Sequence, residues 1–83
     1  MKPLRCYLVV AACPLDDVVL SVRHYKRWAM ADAVRFAALG QEKLLKYVYK
    51  NNDNVDTSEI YHVAVMRHLN GKNTIVHIED VPE

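Results

Sequence analysis

Four histidines and two cysteines are the residues of this chain whose types best suit chemistry. His62, His68 and His77 all lie in the last third, and three imidazoles on one face could form part of a zinc site. Strand alternation would put His62 and His77 on the same hairpin face, diagonal to each other, with His68 further along. No Cys-x-x-Cys, no His-x-x-x-His and no helical carboxylate pair completes the set. Solvated surface histidines are the better reading, and no metal or other cofactor is expected. Cys13 beside a histidine could serve as a nucleophile pair, but that chemistry needs a base within hydrogen-bond reach and a pocket. A small sheet with one helix rarely supplies a deep pocket, so no enzymatic activity is expected. Gly40 and Gly71 are too far apart for a phosphate-cradling loop.

The remaining chemistry is recognition. Lys26 and Arg27 beside Trp28 combine cations with an aromatic, the pairing used by single-strand binders. Arg35, Lys43, Lys46 and Lys50 could extend it as a stripe along a helix, tracking a phosphate backbone. The ordinary alternative is a solvated helix face with Glu42 interspersed. Net charge is only +1, far from the basic balance of a dedicated nucleic-acid module. Its distribution is uneven. Residues 1–50 hold nine Lys/Arg against four Asp/Glu, and residues 51–83 hold two against six. Such a dipolar surface steers charged partners.

Four strands and a helix are expected to position these groups. Residues 4–12 alternate as a strand, with Leu4, Cys6, Leu8 and Val10 on one face and Arg5, Tyr7, Val9 and Ala11 on the other. Cys13-Pro14-Leu15-Asp16-Asp17 breaks it. Residues 18–26 fit a strand or a helix. The strand is favoured because a helix here would run unbroken into the next element for about 35 residues. Residues 30–50 read as one amphipathic helix. Ala33, Val34, Phe36, Ala37, Gly40, Leu44, Tyr47 and Val48 lie on its covered side. Asp32 suits the start of that helix, and Asn51-Asn52-Asp53-Asn54 stops it. Gly40 is read as a mid-helix glycine in close approach to the sheet. Asn70-Gly71 marks a two-residue hairpin turn. That turn pairs Leu69 with Lys72, Arg67 with Thr74, Val65 with Val76 and Val63 with Ile78 on one face. On the other it pairs Met66 with Ile75, Ala64 with His77 and His62 with Glu79.

The expected fold is therefore α+β, in the order β-β-α-β-β. A four-stranded antiparallel sheet carries one amphipathic helix packed on one face. Eighty-three residues, 52% hydrophobic, make one domain over residues 1–83 with a thin core. On one strand, Cys6 and Cys13 would stand about 23 Å apart, beyond disulfide reach, which fits reduced thiols and a cytoplasmic protein. No segment is long enough to span a membrane. Lys2 and Arg5 followed by Tyr7–Ala12 and Cys13 have the outline of a lipoprotein signal. Their apolar stretch is at the lower limit for one, and the strand reading is preferred.

One sheet face would remain open, displaying Tyr7, Val9, Ser21, Arg23, Tyr25, His62, Ala64, Met66 and Ile75. Aromatic and apolar groups mixed with Arg and His are the makings of an interface. The expected function is a small non-enzymatic protein-binding or inhibitor module, a homodimer being one form. Tyr7, Arg23, Tyr25, Met66 and His62 would lie at the centre, with Arg35, Lys43 and Lys46 at a charged rim. The alternative is a nucleic-acid-binding module built on Lys26, Arg27, Trp28 and Lys50. In size and layout, though in no motif, the chain resembles small phage or mobile-element accessory proteins, anti-CRISPR inhibitors among them. That resemblance implies a cytoplasmic binding protein directed at a host protein and carries over no functional residue.

Overall fold

A computed structural model of the chain describes residues 5–14, 16–52 and 57–82. Lys2, Leu4, Leu15, Asp53 and Asn54, which the sequence reading used at a signal outline, a strand start, a turn and a helix stop, lie outside them. The elements are β1 (Arg5–Ala12), β2 (Val18–Arg23), α1 (Lys26–Ala38), α2 (Gly40–Asn51), β3 (His62–Leu69) and β4 (Lys72–Asp80). The strands form one antiparallel sheet in the order β2-β1-β3-β4. The architecture is α+β, and the segment 18–23 is extended, as its β-branched residues favour.

The helical stretch differs from expectation. It is two helices, and Gly40 is where they part. Its φ of +81° is open to glycine at little cost, and a Cβ there would stand 3.4 Å from the Pro82 carbonyl oxygen. The next amide, Gln41 N–H, donates to that same oxygen at 3.0 Å. Gly40 thus bends the chain and admits the C-terminal strap, instead of approaching the sheet. The helical pattern also begins earlier, at Lys26, so Asp32 lies beyond the first turn. The C-terminal stop works through side chains. Asn51 Nδ2 donates to Tyr47 O at 2.8 Å and Asn52 Nδ2 to Val48 O at 3.0 Å, while Asn52 itself is extended.

α1 lies on the sheet by its alanines. Ala29, Ala33 and Ala37 are spaced four apart and buried, and short side chains let the helix sit close to the strands. Opposite them are Tyr7, Val9, Ala11, Val18, Val63 and Val65. α2 adds Leu44 and Val48 to the same core, with Ile60 and Val81 closing it. Burying each Leu, Ile or Val contributes about 1.5–3 kcal/mol. Gln41 fixes the segment before β3: its Oε1 accepts from Ile60 N–H at 3.0 Å and its Nε2 donates back to Ile60 O.

The Asn70-Gly71 turn forms as expected, both residues having positive φ (53° and 78°). Its pairing holds through Leu69–Lys72, Arg67–Thr74 and Met66–Ile75. A bulge at Val65/Met66 then adds Val76 to β4 and reverses every later side chain. Val65 meets His77, Ala64 meets Ile78, Val63 meets Glu79 and His62 meets Asp80. His77 consequently leaves the face shared by His62 and His68 and joins the helix side, its Nε2 2.7 Å from Glu79 Oε1. A second bulge at Val9/Val10 acts likewise on β2.

Candidate docking surface

Pairing and alternation assign each strand residue to a face. Rows that contain the buried Tyr7, Val9, Ala11, Val63 and Val65 point at the helices. The other rows point away, and among the described residues no element crosses them. Two rows make the centre of this open face. One runs Val19–Val10–Ala64–Ile78 and the next Val22–Leu8–Met66–Ile75. The ends stand out to solvent: Val19 51%, Val22 56%, Ile75 53% and Ile78 48% exposed. Val10 and Ala64 in the middle are buried, at 3% and 1% exposed. A flanking row holds Cys6, His68 and Asn73, with His68 Nδ1 2.6 Å from Asn73 Oδ1, and the opposite one holds Ala12, His62 and Asp80.

Charge is distributed in an inverted way. The helix-side rows carry Arg5, Arg23, Arg67, Lys72 and Glu79, whereas the open rows carry Asp80 alone, at a corner. A face meant for water normally alternates polar groups outward. This one keeps its charges on the other side.

The structure moves several expected interface residues. Tyr7 is only 6% exposed, and Val9 is fully buried on the helix side. Ser21 and Arg23 also point there, because they pair with Val9 and Tyr7. None of the four belongs to the open face, and Tyr25 is the residue before α1, outside the sheet. Ala64, Met66, Ile75 and His62 do lie on it. Sequence reasoning missed Leu8, Val19, Val22 and Ile78. Both faces of β1 are apolar, so alternation alone could not choose the covered one. The alanine stripe on α1 is the available signal, since it selects the bulkier Tyr7–Val9 side as its complement.

Arg23 has a structural duty. Its Nε donates to Asp32 Oδ2 at 2.6 Å and its Nη2 to Oδ1 at 3.3 Å. Ser21 Oγ donates to Oδ2 at 3.0 Å, and Arg35 Nη2 donates to Oδ1. Asp32 is 2% exposed, and the Arg23 guanidinium, foremost, holds its carboxyl below the ordinary value. Burial opposes that shift, while Ser21 and Arg35 add to it. The same contact raises Arg23 above its usual range.

The expected basic stripe is broken by the Gly40 bend. Arg35 turns to Asp32, and Lys46 lies 3.4 Å from Glu42; Lys43 and Lys50 are exposed on α2. The residues flanking the start of α1 form a separate cluster. The Arg27 guanidinium stands 5.7 Å from the Tyr25 ring centroid and 5.8 Å from that of Trp28, and the two rings meet edge to face at 5.3 Å. All three residues and Lys26 are exposed.

Neither cysteine is bridged. Cys13 is buried and burial, foremost, pushes its thiol up; a hydrogen bond with Thr57 opposes this and Asp17 adds to it. Among the described residues no group of three or more His, Cys, Asp or Glu is placed to hold a metal ion. A surface depression of about 380 Å³ is lined by Gln41, Glu42, Leu45, Ser58 and Glu59, with no thiol or imidazole. No described helix is long and apolar enough to cross a membrane. Family models, curated proteins and solved structures offer no match to this chain.

Proposed function

We propose that this protein is a non-enzymatic binding module that docks another protein through its open sheet face. The observation that carries the reading is the pair of apolar rows ending in Val19, Val22, Ile75 and Ile78, from which Lys and Arg are absent. Each half-exposed side chain contributes on the order of 1 kcal/mol when a partner removes it from water. The partner chemistry that fits is an uncharged, apolar protein surface, because an unpaired charge buried against these rows is costly. An inhibitor that covers its target's surface is the version that the small size and layout favour.

Recovery of partners from the native host tests this. The expected result is a protein retained through nuclease and high salt by the wild type and by Lys43→Glu, and lost by Val22→Lys or Ile75→Lys. Retention by both face variants would contradict the reading.

The alternative, nucleic-acid binding, draws on one specific observation: Arg27 stacked over Tyr25 and Trp28 beside Lys26. Base stacking on such rings is worth ~1–3 kcal/mol per base. In that case affinity for a single-stranded oligonucleotide falls steeply as salt rises and is lost in Arg27→Glu.

A further inference from the structure

The open face has a pattern that fits itself. Resting on the reading of this face as a docking surface, we infer that its first occupant is a second copy of the chain, bound face to face about a two-fold axis parallel to the strands. Three observations lead there.

The first is charge. In an isologous interface the same patch meets itself, so a cation near the axis faces its own copy. Among the described residues Lys and Arg are absent from the open rows, although they are frequent on the helix side of the same strands. An acidic or basic partner would select a complementary charge here, and a second copy selects none.

The second is the order of sizes along the rows. A two-fold axis between β1 and β3 carries β2 of one copy onto β4 of the other and keeps each row opposite itself. Val19 then lies over Ile78, and Val22 over Ile75. Leu8 meets Met66, and Val10 meets Ala64. The half-exposed apolar groups of these two rows, at the two sheet edges, cover each other. Asp80 and His62, at one end, meet neither Asp80 nor His62 of the partner. Small departures in angle are ordinary, since face-packed sheets cross at about −30°.

The third is area. Four strands about 4.8 Å apart and roughly seven residues long give a face on the order of 450 Å² before side-chain relief. Two such faces bury roughly 1,000 Å², the lower limit of specific interfaces. An interface at that limit belongs to the weak, concentration-dependent class. A heterologous protein partner gains access by displacing the second copy.

Sedimentation equilibrium of the full chain, from ~1 μM to ~1 mM, reads this directly. The wild type is expected to pass from 9.6 kDa to twice that mass. Val22→Lys, at a 56% exposed edge position, should fold normally by circular dichroism and raise the dissociation constant at least ~30-fold. Glu42→Lys, exposed in the first turn of α2, should leave it unchanged. A dimer equally strong in Val22→Lys overturns the inference. So does a wild type that stays monomeric throughout. In that second case an apolar fluorescent dye separates the two readings. Dye bound by the wild type and lost in Val22→Lys leaves the docking face standing without its second copy, and no dye bound overturns both.

Discussion

Replacing Asp32 by Asn keeps the size of the side chain and removes its charge. The carboxylate accepts from Arg23 and Ser21 on one oxygen and from Arg23 and Arg35 on the other. Whichever way the amide is turned, its NH2 group therefore points at an arginine N–H. Breaking a buried ion pair costs about 3–5 kcal/mol when the stranded partner stays buried. Here the Arg23 and Arg35 side chains are 40% and 71% exposed and can rehydrate, which reduces the loss to about 1–3 kcal/mol. At about 4–8 °C per kcal/mol for a domain of this size, the expected fall in Tm is roughly 5–20 °C. The sign of the pH dependence follows from the direction of the shift. Asp32 has a folded pKa below its unfolded value, so its contribution is complete above about pH 4 and fades as pH falls through the folded pKa. Thermal melts of wild type and Asp32→Asn should thus differ by a constant amount from pH 8 to 5 and converge below about pH 4. Equal stability at pH 7, or a gap that persists unchanged to pH 2, would refute the reasoning.

Gly40→Ala should cost at least ~1–2 kcal/mol, because an L side chain is strained at φ +81°; a lower urea midpoint with an unchanged slope checks it. Leu44→Ala, at a fully buried core position, should lose about 2–5 kcal/mol in the same assay. Cys6 is partly exposed and should react readily with a thiol reagent at pH 8. Cys13, buried and with its pKa raised, should react only slowly until denaturant is added, and equal rates would contradict its placement.

The parts of this fold that local chemistry determines were legible in the sequence. Asn70-Gly71 set the hairpin and its first pairs, and β-branched residues made 18–23 a strand. What stayed hidden depends on packing at a distance. The bulge at Val65/Met66 has no residue signature of its own, yet it moved His77 to the opposite face from His62. Gly40 was visible as an exception inside a helix. That it breaks the helix became clear only with the Pro82 carbonyl beside it. The open face was misread at β1 and β2 for a related reason. Tyr7–Val9–Ala11 and Leu8–Val10 are equally apolar, so the choice belonged to the alanine stripe of α1 and to the buried Asp32 that draws Arg23 and Ser21 inward.

The most direct test of the docking face is a titration of the recovered protein partner into isotope-labelled chain, followed by NMR. The account predicts shifts in the methyl groups of Val22, Ile75 and Ile78 while the Trp28 indole N–H stays in place. Movement of the Trp28 indole with those methyls unchanged would contradict it.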